Sequence, residues 1–468
     1  MALGHSADIM KHHVCTAIER VRTPAFPADA STLLKGTPLQ EFLTSPEFAE
    51  GAITFVVAFL VTVAMVPVSH KIATLIGAID YPSNRRINTK PIPRCGGIAM
   101  FTGFMAGALT IYLGITFFNW RIIDYYVVAN MNYPVLLIGF TVMFLTGLID
   151  DIVQLTPKVK FAGQLLASLL VALAGVSIDM VRSLIDDSYM SLGFMDIPIT
   201  VLYLVAFANI INLIDGLDGL AAGIVGISSI SLLILVAMRG SYSLVLVCLM
   251  LTAVCAAFLI YNFYPASIFM GDSGALFLGL LLGTISIAGV VRTQSLVIMV
   301  VPLVMAGVPV LDTFTAIVRR KRQHKRFDQA DMGHIHHRLV DAGYSQRKAV
   351  LILYGCTAAL AVVGLMLMGS SGIVRWATLI ALLVVVSFII WRFGLFRPVL
   401  QHYYVGRGQT GVRKPHSAAH AQKIINEAIP IPSAAKREDG ESANEATDAA
   451  AAAEPKPAAN EASPQEKA

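Results

Sequence analysis

VLYLVAFANIINLIDGLDGLAAGIVGISSISLLILVA, residues 201–237, holds two apolar runs joined by a short turn that carries amides and carboxylates. Each run approaches the ~20 residues that an α-helix needs to cross a bilayer. An ionisable group in the apolar zone costs roughly 2.5–3.5 kcal/mol on insertion scales, so such groups face a cavity or a partner. Asn209, Asn212, Asp215 and Asp218 fall where the first run ends and the second begins. On an ideal helix, residues three apart lag by ~60°, so Asn209, Asn212 and Asp215 share a face ~120° wide. Asp218 points to the opposite side if the helix continues. Gly216 and Gly219 supply a break that can turn it back. Two membrane spans meeting at a polar end are the reading that the rest of the chain has to match.

It does match. Of 468 residues, 56% are hydrophobic and 14% charged, against ~25% charged in a soluble domain. Hydropathy predicts an all-α, polytopic transmembrane bundle of about eleven spans, near 50–69, 97–117, 134–149, 161–178, 197–213, 219–237, 243–262, 273–290, 296–318, 349–369 and 373–393. The transmembrane domain is expected over residues 50–396. Residues 1–49 are mixed, with room for one short helix outside or along the membrane surface, and the first 20 lack the apolar core of a cleavable signal peptide. Residues 397–468 become polar and then rich in Ala, Glu, Pro, Asn and Ser, a composition with too little to bury, and are expected to be a disordered tail. Five cysteines (Cys15, Cys95, Cys248, Cys255, Cys356) without paired spacing read as free thiols. No repeat of solenoid or propeller period is present.

Loop charge sets the expected orientation. The loops around 70–96, 150–160 and 319–348 hold about sixteen Lys and Arg, the alternate loops about five. The basic side is cytoplasmic on this rule. Every polar constellation falls there: Asp150 and Asp151 closing the third span, the 209–218 group, Asp272 opening the eighth span, and His334, His336, His337 and Arg338 in the basic loop. Five carboxylates gathered in one place repel one another unless a cation sits among them. Mg²⁺, which takes oxygen ligands and binds through one or two carboxylates plus substrate phosphates, is the expected ion, with Mn²⁺ an alternative. Each motif alone has a plainer reading. GDSG around Ser273 matches a serine-protease nucleophile segment but opens a membrane span with no evident base. DGLDG lacks the alternating ligands and terminal Glu of a calcium loop. HIHH lacks the companion ligands of a zinc site, and RRKRQHKR serves as an orientation signal. None of these explains why the groups share a side.

In order, NTKPIPRCGGIAMF, GLIDDIVQLTPKVK, NIINLIDGLDGLAAG, FMGDSGALFLG and DMGHIHHRLV resemble the five motifs of the polyprenyl-phosphate N-acetylhexosamine-1-phosphate transferases, relatives of the phospho-MurNAc-pentapeptide transferases. The resemblance spans about residues 50–393. It implies that Asn212 and Asp272 hold Mg²⁺, that Asp150 and Asp151 lie near the attacking phosphate with Asp151 the family's usual base, and that Lys160 meets the lipid phosphate. It implies further that Asp218 contacts uracil and Phe269 stacks on it, and that His334, His336, His337 and Arg338 hold the sugar diphosphate. Asn209 and Asp215 complete the substrate side, and Arg94 in PRCGG matches the branch acting on UDP-N-acetylhexosamines.

The expected reaction is attack by a polyprenyl phosphate oxygen on the β-phosphorus of UDP-GlcNAc, expelling UMP, at the cytoplasmic face of a bacterial inner membrane. A second pKa near ~6 leaves a phosphate monoester largely dianionic at neutral pH, so the need for a base is open, as is single against double displacement. Partners are a UDP-N-acetylhexosamine, a polyprenyl phosphate and the membrane, with no nucleic acid; a homodimer is left open. Alternatives are another UDP-hexosamine, UDP-MurNAc-pentapeptide, or an ion-coupled transporter, which would place its carboxylates near the midplane.

Overall fold

Wherever the sequence presents an apolar run, the backbone has to satisfy its own polar groups, and in hydrocarbon a helix does so within one segment. The computed structural model describes residues 46–81, 90–120, 131–182, 189–291, 307–322, 339, 344–369 and 372–392. The expectations for the N-terminal segment, the tail, and His334, His336, His337 and Arg338 lie outside the described residues. Eleven α-helices are described: α1 (Pro46–Leu75), α2 (Gly97–Phe118), α3 (Tyr133–Val153), α4 (Pro157–Leu173), α5 (Asp196–Ile214), α6 (Leu220–Ala237), α7 (Tyr242–Asn262), α8 (Gly271–Ser286), α9 (Gly307–Arg322), α10 (Gln346–Gly369) and α11 (Gly372–Arg392). This is an all-α, multi-pass membrane protein.

The expected spans are met to different degrees among the described residues. Eight of the described helices are long and apolar enough to cross a membrane. The other three are α4, α9 and α11. Helix α4 has 17 residues, about 25 Å of rise. It starts four residues before the expected 161 because Thr156 and Pro157 form a helix start, Pro at the first position losing no hydrogen bond. Only the second part of the expected 296–318 span is described, as α9, which ends in Arg319–Arg322. Helix α11 covers the expected 373–393 span to within one residue at each end.

Helix α8 is the axis. Every residue from Ser273 to Ser286 is buried, and a helix apolar all round belongs in the centre of a bundle. Helices α2, α3, α5, α6 and α7 touch it. Between lipid-solvated helices the association rests on van der Waals fit. Here Phe277 of α8 meets Phe101, Phe104 and Phe140 edge to face at 5.4, 5.5 and 6.3 Å, while Phe101 and Phe144 stack at 4.2 Å. Aromatic pairs of this kind add about 0.5–1.5 kcal/mol each beyond buried area. Large exposed side chains such as Leu60, Leu109, Leu166 and Leu202 face outward, as a lipid-facing surface requires.

Up-and-down connectivity gathers one set of helix ends. The C-terminal ends of α1, α3, α5 and α7 adjoin the N-terminal ends of α2, α4, α6 and α8. A two-residue hairpin, β1 (Ile79–Asp80) with β2 (Ile92–Pro93), lies at this end. Phe269 donates its amide to Pro93 (2.8 Å), and Gly96 and Gly97 donate theirs to Phe269 and Met270 (both 2.9 Å). A second hairpin, β3 (Met180–Arg182) with β4 (Tyr189–Ser191), joins α4 to α5 at the opposite end.

Candidate active site

Four polar groups that are far apart in sequence meet at this gathered end. Lys160, in the first turn of α4, places Nζ 2.8 Å from Asp150 Oδ2 and 3.0 Å from Asp272 Oδ2. Asn212, in the last turn of α5, donates its amide to Asp272 Oδ1. Asp272 is the second residue of α8, where the positive end of the helix dipole favours an anion. One ammonium thus sits between two carboxylates, and an amide holds the free oxygen of one of them.

Adjacent residues on a helix point ~100° apart, so Asp150 and Asp151 cannot do the same thing. Asp150 turns toward Lys160, and its Oδ1 accepts the Leu155 amide at 2.7 Å. Asp151 turns into the bundle, where it is 2% exposed. Its Oδ1 accepts the Asp272 amide (2.8 Å), and its Oδ2 accepts the Ser273 amide (3.0 Å) and hydroxyl (2.7 Å). These are donors that α8 cannot satisfy internally, and its own N-cap, Met270, offers no side-chain bond.

Helix α5 ends at Ile214, and Asp215 departs from helical dihedrals (φ −74°, ψ 55°). The chain turns through Gly219, whose φ of +78° is a left-handed conformation natural to glycine. The expected break after Asp215 is therefore present. Asp218 accepts the Ala266 amide at 3.0 Å and a hydrogen bond from the Gln346 side chain. Asp215 is deeply enclosed though not sealed. Burial first, then the carboxylates of Asp272, Asp151 and Asp218, push it up to about 8. Burial likewise raises Asp218, and the Ala266 and Gln346 bonds pull it partway back.

The remaining expected residues fall as follows. Asn209 makes a reciprocal amide pair with Gln164 (2.7 and 3.3 Å) and a further bond to Val205 O (2.8 Å). That side chain ties α5 to α4, one turn below the Asp272 cluster. Arg94 donates to the backbone oxygen of Asp151 (3.2 Å) and lies 3.8 Å from Asp80, bracing the hairpin against α3. Phe269 is half-buried, in the segment that pairs with Pro93 and Gly96.

Several residues that sequence reasoning passed over shape the site. Asn262, 2% exposed, accepts from the Gly219 amide (3.0 Å) and donates to Ile268 O (2.9 Å), joining the 215–219 turn to the loop before α8. Tyr354 of α10 donates to Gly219 O at 2.5 Å, and Arg347 donates to Tyr264 O at 3.1 and 3.2 Å. A buried Asn at the end of an apolar helix was the one available signal. The Tyr354 and Arg347 contacts leave no trace in local pattern.

An apolar groove of about 500 Å³ runs between α4 and α5, lined by Phe161, Leu165, Leu169, Val201, Leu202 and Val205 among others. Its upper end is Phe161, the residue after Lys160. The groove thus begins one residue beyond Lys160 on α4.

Known proteins resemble this chain over most of its membrane domain. The model for glycosyl transferase family 4 matches residues 133–290. A Bacillus subtilis protein described as a probable undecaprenyl-phosphate N-acetylglucosaminyl 1-phosphate transferase is 36% identical over 302 residues, 64% of this chain and 80% of the relative. A decaprenyl-phosphate N-acetylglucosaminephosphotransferase of Mycobacterium tuberculosis is 30% identical over 343 residues, 68% of this chain and 80% of the relative. An undecaprenyl-phosphate alpha-N-acetylglucosaminyl 1-phosphate transferase of Yersinia pestis is 25% identical over 367 residues, 77% of this chain and 96% of the relative. With the described motif residues gathered at one end of the bundle and these relatives matched over most of their length, the chain belongs to the polyprenyl-phosphate N-acetylhexosamine-1-phosphate transferases, within glycosyl transferase family 4.

Proposed function

We propose that this chain transfers GlcNAc 1-phosphate from UDP-GlcNAc to a polyprenyl phosphate, releasing UMP, on the cytoplasmic side of a bacterial inner membrane. The observation that carries the reading is Lys160 held between Asp150 and Asp272 at the head of an apolar groove. A phosphate on a long hydrocarbon chain matches both parts. The chain lies along α4 and α5, and the phosphate comes to the ammonium. GlcNAc is the sugar favoured by the names of the relatives. The cytoplasmic assignment rests on the sixteen-to-five loop charge.

Phosphoryl transfer asks the protein to position groups and offset spreading negative charge. A lipid phosphate oxygen attacks the β-phosphorus, the bond from that phosphorus to the oxygen bridging it to the α-phosphorus breaks, and UMP leaves with that oxygen. Lys160 offsets charge on the attacking phosphate. Asp150, bonded to Lys160, orients it and stands next to the incoming nucleophile. The donor set suits Mg²⁺, with Mn²⁺ the alternative. Two carboxylates (Asp150, Asp272) flank one lysine, and the Asn212 amide already lies against Asp272. Among the described residues no three His, Cys, Asp or Glu side chains form a metal cage. That fits an ion held by Asp272 and Asn212 with the remaining ligands from substrate and water. Bound there, the ion supplies charge compensation for the diphosphate.

Purified protein in detergent, given Mg²⁺, undecaprenyl phosphate and UDP-GlcNAc, should release UMP and form lipid-linked GlcNAc diphosphate. One phosphoanhydride is broken and another made, so added UMP should regenerate UDP-GlcNAc. Lipid-dependent release of UDP would mean sugar–oxygen cleavage and would end the proposal.

A further inference from the structure

Phe140, Phe144, Gly147 and Asp151 recur along α3 at intervals of four, three and four, the period of one helix face. That face is where α8 rests. Phe140 meets Phe277 at 6.3 Å. A Cβ on Gly147 would collide with the backbone of Asp272 and Ser273, so the glycine lets the first turn of α8 sit directly on α3. One turn further on, Asp151 takes the Asp272 amide, the Ser273 amide and the Ser273 hydroxyl. Gly271, at φ +72°, completes the fit. A Cβ there would stand 2.5 Å from both Arg94 O and Asp151 Oδ2. Arg94 in turn holds the Asp151 backbone oxygen at 3.2 Å.

We infer that Asp151 is a positioning residue, an N-cap supplied to α8 from a neighbouring helix, and that its task is to hold Asp272 at the reacting end of the site. Both its oxygens are engaged by protein donors, and 2% of the residue is exposed. Reaching a substrate phosphate would mean breaking the cap and moving the backbone of the residue that faces Lys160. Asp150, whose carboxylate opens toward Lys160, is the member of the pair placed to meet substrate. This inference rests on the proposed role of Asp272, but its first test needs no substrate.

The cap has a specific chemical demand: two acceptor oxygens for three donors. Asp151→Asn offers one oxygen and presents an NH₂ group to the other donors, whereas Ser273→Ala removes one donor and leaves the carboxylate. In full-length, metal-free protein, amide hydrogen exchange across Gly271–Phe277 should quicken by about tenfold or more in Asp151→Asn, the scale of one lost charge-assisted hydrogen bond. It should quicken less in Ser273→Ala and stay at the wild-type rate in Asp150→Asn. In turnover, Asp151→Asn should fall by about 10- to 100-fold and keep the acid limb of the kcat–pH profile, since no titrating base is removed. Ser273→Ala should slow the wild-type chain but add nothing to Asp151→Asn, because both act through one cap. Unchanged exchange at Gly271–Phe277 in Asp151→Asn, with the acid limb lost, would overturn the inference in favour of a base. Should Asp151→Asn fail to insert, Ser273→Ala decides alone: unchanged exchange there overturns the inference. Release of UDP by the wild-type protein would sink the reaction reading while leaving the exchange results to stand or fall separately.

Discussion

Replacing Lys160 with methionine keeps the length and the apolar stem of the side chain and removes one charge. In the structure Nζ lies 2.8 Å from Asp150 and 3.0 Å from Asp272, with side-chain exposures of 20%, 10% and 30% for Lys160, Asp150 and Asp272. At an effective dielectric constant of about 20, each contact has a gross attraction of about 6 kcal/mol. Desolvation cancels most of this, and leaving a buried charge without its partner costs about 3–5 kcal/mol net. The carboxylates can escape part of that cost by keeping a proton or taking up a cation. Lys160→Met should therefore fold, and it should bind Mg²⁺ more tightly than the wild type because a competing positive charge is gone. Turnover should nonetheless fall about 10²- to 10³-fold, since the lost compensation is needed by the attacking phosphate and each factor of ten corresponds to about 1.4 kcal/mol. UMP release at saturating Mg²⁺ measures the rate, and calorimetry or Mn²⁺ paramagnetic resonance measures the ion. Turnover within tenfold of wild type would refute the placement of the lipid phosphate at Lys160. Weaker ion binding would refute the electrostatic argument.

Gly271→Ala adds a Cβ 2.5 Å from Arg94 O and Asp151 Oδ2 at a φ of +72°; left-handed backbone alone costs about 1–2 kcal/mol, so thermal stability and turnover should both drop, the latter more than tenfold. Asp215, pushed up to about 8 in the metal-free chain, contributes stability that is complete near pH 4 and is lost as pH rises through about 8. Thermal scans in chelator should show that decline and Asp215→Asn should flatten it; below pH 8, ion binding should release protons, so apparent Mg²⁺ affinity should rise with pH. Cysteines introduced at Gln323 and Gly333 should react with impermeant reagents only after the cytoplasmic side is opened, and one at Ser188 should react in intact cells. The reverse pattern would reject the cytoplasmic site.

The helices were legible because hydrocarbon leaves the backbone one local solution, and runs such as 201–237 declare it by composition alone. The gathering of Asp150, Lys160, Asn212 and Asp272 was legible for a related reason. Carboxylates are expensive at mid-membrane, so they collect at helix ends, and alternation of direction brings every second end to the same side. Positions that depend on which neighbour a side chain meets were not legible. Asn209 and Asn212 are one turn apart on α5, yet one pairs with Gln164 of α4 and the other with Asp272 of α8. Their spacing put both on a common face but could not say that two different helices share that face. The start of α4 was missed by four residues because hydropathy sees apolar content and passes over a Thr–Pro start signal.

The Asp150–Asp151 pair shows most clearly where a one-dimensional reading stops. Two identical residues in succession differ by ~100° of rotation, and nothing in LIDDIV says which one turns to Lys160. The stripe of Phe140, Phe144, Gly147 and Asp151 would have said so, had Gly147 been read as the footprint of another helix's backbone. A glycine in the middle of a membrane helix, four residues before a carboxylate, is a seat with a cap beside it. The other carboxylate, Asp150, turns instead to Lys160, the group proposed to meet the lipid phosphate. On that argument the pair is not two copies of one function. Asp151 fixes α8, and with it Asp272; Asp150 and Lys160 face what Asp272 faces. The chemistry at the end of the bundle thus depends on a contact directed into its interior.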